Sequence, residues 1–246
     1  MTTNALTFGP LRGFGTPDKV LLWISIAASL LYLATKSVQP FPGSIWLKAM
    51  SIAPLAVLAI KLLREAKSRP NRIEWLRDRD NLILGAALGF SCLGDILLDL
   101  PGQHFVQGLL AFLVAHFVYI LLFVRNWPRP LRPRGQQLAL AAAVLVYSLL
   151  LANWLAPDLG KLAGPVTVYI CAITVMAVST IFAGFSKPYV WLGAILFVLS
   201  DSMIAVGRFK TAVPMAEYLI WATYYVGQYG IAIGFLREKL GDGARG

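Results

Sequence analysis

The stretch SCLGDILLDL (residues 91–100) places two aspartates, Asp95 and Asp99, at the end of a long apolar segment. A second apolar stretch, GAILFVLSDS (193–202), carries Asp201 in the same kind of setting. A charged side chain that faces lipid is costly, so a hydrophobic segment tolerates one where it meets other protein or water. The two stretches therefore predict a helical membrane protein with a polar site inside it.

The composition also indicates a membrane protein. Of the 246 residues, 58% are hydrophobic and 14% are charged, and the mean hydropathy is +0.68. A soluble domain carries about a quarter charged residues. The net charge of +10 would suit nucleic acid, but the basic residues cluster in loops between apolar runs, so we expect no nucleic-acid partner. Cys92 and Cys171 lie singly in apolar segments and form no disulfide or metal-binding motif.

Eight hydrophobic runs each approach the roughly 20 residues that a helix needs to cross a bilayer. The sequence therefore predicts an all-α fold, a polytopic membrane helix bundle with eight transmembrane helices, the first of them uncleaved. The predicted spans are 19–36, 44–63, 81–99, 104–124, 137–156, 163–184, 188–207 and 213–236. Seven spans are the main alternative, because the last two predicted spans lie close together.

A short internal similarity suggests a repeat. The segment LGAALGFSCLGD (84–95) in the third span resembles LGAILFVLSD (192–201) in the seventh. Each is the third span of a four-span half, so the bundle is predicted to contain two four-helix halves if the similarity is a true parallel repeat. The alternative is a chance match between segments rich in Gly, Ala and Leu.

The distribution of Lys and Arg predicts which side of the membrane each loop faces. With eight spans, 17 of the 22 basic residues fall on the side of both termini. Cytoplasmic loops are enriched in basic residues, so both termini are expected in the cytoplasm, and the membrane is the inner one if the cell is bacterial. The chain then divides into a cytoplasmic segment (1–18), a membrane domain (19–236) and a cytoplasmic tail (237–246).

The two intramembrane aspartates are predicted to lie at one depth. Asp95 falls 14 residues into the third span and Asp201 falls 13 residues into the seventh, and both spans start on the cytoplasmic side. At about 1.5 Å per residue, both carboxylates lie roughly 20 Å from the inner boundary of a ~30 Å core. We expect a facing pair in which one carboxyl holds a proton, because two carboxylates in a poorly solvated site do not easily both ionise.

Such a pair suits general acid/base chemistry. In the alternative interpretation, each aspartate is satisfied by a neighbouring polar side chain and joins helices without a chemical role.

The eighth span carries a polar face. Glu217, Trp221, Tyr224 and Gln228 are three or four residues apart, so they share one side of a helix. A face that combines acid, phenol and amide is predicted to line a cavity, with helix–helix hydrogen bonding as the alternative.

In the fourth span, His116 and Tyr119 share a face, and His116 is either a ligand-binding or a packing residue. Asp99 is interpreted as a solvated helix end. The sequence has two histidines in total and no HExxH or GxSxG motif, so we expect no metal site, no cofactor and no serine nucleophile.

Four segments resemble, in order, the signature segments of the YhhN family: GDILL (94–98), FLVAHFVYILLF (112–123), GAILFVLSDSMIA (193–205) and YYVGQYGIAIG (224–234). The resemblance covers the chain from the first span to the eighth. The family consists of eight-span membrane proteins that include the lysoplasmalogenases. It implies an intramembrane hydrolase that cleaves the vinyl-ether bond of a lysoplasmalogen-type lysophospholipid, giving a fatty aldehyde and a glycerophospho-base.

The resemblance also implies the site residues, with Asp95 and Asp201 as the catalytic carboxylates. It further implies His116, Tyr119 and Gln228 as site residues. Together with Glu217 and Tyr224 from the polar face of the eighth span, and with Lys48, these residues are expected to bind the substrate. The family commonly has a Lys-Pro pair at the start of span two, whereas here Lys48 is followed by Ala49. Lys48 is therefore expected either at the helix start or against the lipid headgroup.

Two other functions remain open from the sequence. A proton-coupled transporter would use the same aspartates as a relay, and a non-catalytic lipid-binding protein would use the cavity alone. The expected partners in all three cases are lipids, with a lysophospholipid as substrate in the first. The sequence makes no prediction of oligomeric state.

Overall fold

The computed structural model describes residues 14–41, 43–66, 72–102 and 104–242, and these ranges contain helices and no β-strand. The α-helices are α1 (Thr16–Ala34), α2 (Ser44–Ala66), α3 (Arg72–Asp99), α4 (Phe105–Arg125), α5 (Gly135–Leu155), α6 (Ala163–Phe182), α7 (Tyr189–Phe209) and α8 (Ala216–Asp242). Short 3₁₀ turns lie in the loops at Lys36–Val38, Ala156–Asp158 and Gly160–Leu162. The all-α prediction is confirmed.

Seven of the described helices, α1 to α7, are long and apolar enough to cross a membrane. The eighth, α8, has 27 residues, but its Trp, Tyr and Gln side chains lower its mean hydropathy. Trp221, Tyr224 and Gln228 are buried inside the bundle, so the polar side of α8 faces protein rather than lipid. The described chain therefore forms an eight-helix bundle, and the protein is an integral membrane protein.

The outer surface of the bundle is apolar. Leu150 on α5 is 66% exposed and Leu30 on α1 is 61% exposed. A surface of this kind is unfavourable in water but matches the hydrocarbon of a bilayer.

Two helices extend past the predicted spans. The third predicted span starts at residue 81, whereas α3 starts at Arg72, and α8 continues to Asp242 beyond the predicted end at 236. Both extensions contain Arg, Glu and Leu, which favour helix, so the helices continue after leaving the apolar region. The expected tail at 237–246 is therefore helical as far as Asp242.

The contacts between helices form a closed bundle. Helices α1 to α4 pack consecutively, α4 packs on α6, and α5 to α8 pack consecutively. Helix α8 returns to contact α1, α2 and α3. The arrangement brings α3, α4, α7 and α8 together around the interior, and these helices carry the polar residues noted in the sequence. The internal repeat stays a prediction.

Helices α7 and α8 approach most closely at two glycines. A Cβ atom on Gly193 would lie 2.5 Å from the carbonyl oxygen of Gly227, and one on Gly227 would lie 2.7 Å from the carbonyl oxygen of Gly193. Small residues at a crossing let two helix backbones touch in a membrane. This contact fixes the helix that carries Asp201 against the helix that carries Tyr224.

The close contact between Gly193 and Gly227 predicts the effect of adding one methyl group at Gly193. Gly193→Ala should lower the free energy of unfolding by about 1–3 kcal/mol, because its Cβ overlaps the backbone of α8. Thermal unfolding of the purified protein in detergent measures the change. Gly89→Ala on α3 is the matched control, since its Cβ meets no atom within 4 Å. A Gly193→Ala protein that unfolds at or above the wild-type temperature would show that the crossing is not tight.

Candidate functional site

Asp95 is enclosed within the bundle by partners from two other helices. The residue is 2% exposed, and its Oδ2 atom accepts a hydrogen bond of 2.6 Å from the Tyr224 hydroxyl on α8. Its Oδ1 atom lies 3.7 Å from Nζ of Lys48 on α2. A carboxylate with both a cation and a hydrogen-bond donor beside it is tolerated in a membrane interior.

Lys48 also pairs with Asp99, one helical turn after Asp95. Its Nζ lies 2.8 Å from Asp99 Oδ1, and the Tyr32 hydroxyl donates a hydrogen bond of 2.7 Å to Asp99 Oδ2. The interpretation of Asp99 as a solvated helix end is therefore wrong. Because Asp95 and Asp99 are four residues apart on one helix face, a single lysine on the neighbouring helix reaches both.

Lys48 is more buried than a residue that only starts a helix at the membrane surface would be. It is 8% exposed, and its Nζ lies 5.9 Å and 5.8 Å from the ring centroids of Tyr32 and Trp221. Its contact with a lipid headgroup stays a prediction.

A chain of hydrogen bonds leads from α4 through α8 to Asp95. The Tyr119 hydroxyl donates to Gln228 Oε1 at 2.6 Å, and Gln228 Nε2 donates to the Tyr224 hydroxyl at 3.5 Å. Tyr224 donates in turn to Asp95. The structure thus brings together three of the predicted substrate-binding residues and one predicted catalytic carboxylate.

Glu217 is a predicted site residue that lies apart from this group. It stands in the first turn of α8 and is exposed, whereas Tyr224 and Gln228 on the same helix are buried. The predicted polar face of α8 is therefore exposed at Glu217 and buried at Tyr224 and Gln228. The first turn of α8, which carries Glu217, lies at the end of the bundle. A role for Glu217 at the substrate stays a prediction.

Asp201 has its own partners, on α4 and α6. Its Oδ2 atom accepts a short hydrogen bond from the Tyr169 hydroxyl and lies 3.7 Å from Nε2 of His116. The His116 ring contacts the rings of Tyr169 and Phe197, each at a centroid distance of 5.0 Å. The Asp201 side chain is 12% exposed, more than that of Asp95 at 3%.

His116 has unused hydrogen-bonding capacity. Its side chain is fully buried, and among the residues that the structure describes neither ring nitrogen has a hydrogen-bond partner. An unpaired buried polar atom costs about 1–3 kcal/mol. The site next to Asp201 therefore suits a water molecule or a substrate oxygen that would bond to His116.

Aromatic rings connect the surroundings of the two aspartates. Phe197 contacts His116 beside Asp201, and it contacts Tyr224 beside Asp95 at a centroid distance of 5.2 Å. The face-to-face arrangement of the pair stays a prediction.

A metal site requires several ligating side chains close together. Within the described ranges, no three His, Cys, Asp or Glu side chains are grouped closely enough to hold a metal ion. The expectation of no metal site stays a prediction for the whole chain.

A pocket of about 690 Å³ lies next to Asp201. Helices α3 to α7 supply its walls, and twelve of its sixteen lining residues are apolar. Of the two predicted catalytic carboxylates, Asp201 is the one that lines it, together with its partner Tyr169.

Sequence reasoning missed Tyr32 and Tyr169. Each is a single tyrosine in an apolar helix, a pattern that fits packing as well as hydrogen bonding. Their role depends on Asp99 and Asp201 lying on neighbouring helices, which the periodicity of one helix does not reveal.

A membrane helix bundle with a partly buried carboxylate in the wall of an apolar pocket belongs to the class of proteins that act on lipids or bind them. More specifically, the chain belongs to the YhhN family, whose sequence model matches residues 43–235. This confirms the resemblance found in the sequence. No solved structure matches the chain.

Several relatives are named lysoplasmalogenase. The chain is 34% identical over 221 residues to a lysoplasmalogenase of Mycobacterium bovis, covering 87% of this chain and 81% of that protein. It is 34% identical over 158 residues to human lysoplasmalogenase TMEM86B, covering 64% and 65% of the two chains. The rat lysoplasmalogenase TMEM86B is 28% identical over 238 residues, covering 97% of this chain and 93% of that protein.

The pairing of Lys48 with both Asp95 and Asp99 predicts that loss of this lysine destabilises the protein. Lys48→Met should lower the free energy of unfolding by on the order of 3 kcal/mol, because Asp95 and Asp99 are left without their cation. The melting temperature in detergent measures the loss. Adding Asp99→Asn should recover part of it, and Lys161→Met, at an exposed position, is the matched control. Equal melting temperatures for Lys48→Met and Lys161→Met would show that the pairing is unimportant.

Proposed function

We propose that this protein is a lysoplasmalogenase, an intramembrane enzyme that hydrolyses the vinyl-ether bond of a lysoplasmalogen-type lysophospholipid. The products are a fatty aldehyde and a glycerophospho-base. The observation that carries the proposal is the carboxylate of Asp201 in the wall of an apolar pocket, in a chain whose bacterial and mammalian relatives are named for this activity.

The chemistry requires an acid, a water molecule and a stabilised cation. A carboxylic acid gives its proton to the vinyl carbon farther from oxygen, and the other vinyl carbon becomes part of an oxocarbenium ion. Water adds to that carbon and gives up a proton, which forms a hemiacetal. The hemiacetal separates into aldehyde and alcohol, so the reaction consumes one water. The two-carboxylate scheme parallels that of glycosidases.

Asp201 is assigned the proton transfers. It lines the pocket and is therefore the carboxyl that reaches the substrate. After giving up its proton it is a carboxylate, which accepts a proton from the attacking water. His116 lies beside it, and neither of its ring nitrogens has a hydrogen-bond partner among the described residues, so it is assigned the role of holding that water or the ether oxygen.

Asp95 is assigned an electrostatic role. It is 2% exposed and is not among the described residues that line the pocket, so its negative charge, when it is ionised, acts on a bound substrate from a distance and not by contact. In a poorly polarisable interior such a charge acts over several ångströms. The oxocarbenium ion that forms beside Asp201 is stabilised by this field.

The proposed orientation has both termini in the cytoplasm. It rests on the excess of Lys and Arg on the side of the termini. The last turn of α3, with Asp99 and its partner Lys48, then lies towards the outer face, at the level of lipid headgroups. A vinyl-ether bond lies just below the glycerol of its lipid, close to this level.

The other two functions gain no support from the relatives, which are named for hydrolysis. Membrane transporters often place their sites at discontinuous helices. In contrast, the helices that carry the two aspartates, α3 and α7, are continuous.

The proposal predicts how amide replacements affect turnover. Asp95→Asn and Asp201→Asn keep the side-chain shape but remove its charge and its exchangeable acid proton. Each should reduce aldehyde release from a lysoplasmalogen by on the order of 10²–10⁴-fold. The double variant should be scarcely slower than either single variant, because residues that act as one unit are not additive.

Folding and specificity need controls. Thermal unfolding should show that each variant is folded, since the amide still forms hydrogen bonds and avoids the cost of a buried charge. Asp158→Asn is the matched substitution, because Asp158 lies in a loop and pairs with Lys210. A folded Asp95→Asn or Asp201→Asn protein with wild-type turnover would refute the role of that carboxyl.

A further inference from the structure

The described walls of the pocket beside Asp201 contain no positively charged side chain. The polar lining residues are Ser148, Tyr169, Asp201 and Ser202, and the other twelve are apolar. A lysophospholipid carries a phosphate, and Arg and Lys are the side chains that bind phosphate. If the pocket holds the reacting bond, the cation for the phosphate has to come from a residue next to its walls.

Arg208 lies next to two of these walls. Its guanidinium carbon, Cζ, is 4.0 Å from the ring centroid of Phe105 on α4, and Phe105 lines the pocket. The next residue of α7, Phe209, lines the pocket as well. A guanidinium over an aromatic ring keeps the N–H groups at its edges available for oxygen atoms of a ligand.

Arg208 and Asp201 share one face of α7. Seven residues are about two helical turns, so Arg208 lies roughly 10 Å from Asp201 along the helix axis. It stands in the last turn of α7, and its side chain is exposed. In the proposed orientation, the end of α7 lies at the outer boundary of the membrane core, whereas Asp201 lies within the core.

Three other basic residues expected on this side of the membrane already have polar partners. Lys48 pairs with two carboxylates of α3, and Lys210 pairs with Asp158. Lys36 donates hydrogen bonds to two neighbouring side chains. Arg208 forms no ion pair within the part of the chain that the structure describes. Its charge is therefore available, beside the pocket, for a phosphate.

The spacing of Asp201 and Arg208 matches the polar part of the substrate. From the vinyl carbon through the ether oxygen and the glycerol, the atoms of a lysoplasmalogen reach the phosphorus over about 7 Å when extended. The contacts at the two ends of this segment account for the remainder of the separation.

We infer that Arg208 binds the phosphate of the lysophospholipid when the vinyl-ether bond lies at Asp201. The hydrocarbon chain then leads from Asp201 past Val198, which lies one turn deeper on α7, towards the centre of the membrane. The inference rests on the proposed function and adds to it the position of the headgroup.

Binding of two hexadecyl ethers tests the inference. One is the saturated alkyl ether of lysophosphocholine, and the other is the corresponding alkylglycerol, which lacks the phosphate. Neither contains the vinyl bond, so binding is measured apart from catalysis. Each displaces a fluorescent alkylglycerol, whose own affinity is determined for every variant, from protein in a maltoside detergent without phosphate. The variants are Arg208→Gln, Arg208→Lys and, as the control for loss of a cation at an exposed position, Lys161→Gln.

Arg208→Gln should weaken binding of the lysophosphocholine ether by about tenfold and leave binding of the alkylglycerol unchanged, because a charged hydrogen bond is lost only with the phosphate. Arg208→Lys keeps the charge but not the planar fork, so its affinity for the lysophosphocholine ether should be intermediate. Lys161→Gln should leave both affinities at the wild-type value. Thermal unfolding confirms that each variant is folded.

Unchanged binding of both ethers by Arg208→Gln would overturn the inference, as would an equal loss for both. Aldehyde release by the wild-type protein from a lysoplasmalogen tests the proposed function separately. Release without a selective loss in Arg208→Gln would leave the hydrolase standing and reject the phosphate site. A selective loss without aldehyde release would keep the phosphate site and reject the hydrolase.

Discussion

The Nζ atom of Lys48 lies 2.8 Å from Asp99 and 3.7 Å from Asp95, so one cation compensates two carboxylates inside a membrane bundle. Without a nearby cation, a buried carboxylate destabilises the folded bundle and the packing of the helices around it. Lys48 lies on α2, both aspartates lie on α3, and Tyr224 completes the group from α8. The ion pair therefore constrains the relative positions of three helices and, through Tyr224, the hydrogen-bond chain to Gln228 and Tyr119.

The surroundings of the two aspartates are related in a simple way. Asp95 on α3 has partners on α2 and α8, and Asp201 on α7 has partners on α6 and α4. Each helix of the first set lies four places along the chain from its counterpart in the second: α3 corresponds to α7, α2 to α6 and α8 to α4. A repeat of two four-helix halves requires this relation. The two sites differ in chemistry, since the first contains a lysine and the second a histidine beside an open pocket. This difference suits a division of labour between an electrostatic carboxylate and a proton-transferring one.

The sequence predicted those features that depend on one helix at a time. Long apolar runs located the helices, and the cost of a polar group in lipid indicated that Asp95, Asp201, Tyr224 and Gln228 face the interior. It could not predict which helices are neighbours, so the pairing of Asp201 with Tyr169 and the pocket beside it were missed. Asp99 was misinterpreted for the same reason: its distance from the membrane edge was counted along α3, but its partners stand on α1 and α2.

Proton transfer to carbon is the central step of this account, and its solvent isotope effect tests it most directly. Aldehyde release from a lysoplasmalogen is followed in a single turnover, with protein in excess, in light and in heavy water. The account predicts clearly slower release in heavy water, because the proton of the carboxyl exchanges with solvent and its transfer to carbon limits the rate. The aldehyde should carry one deuterium on the carbon next to its carbonyl. Equal single-turnover rates in the two solvents would contradict a mechanism that starts with carbon protonation by a carboxyl group.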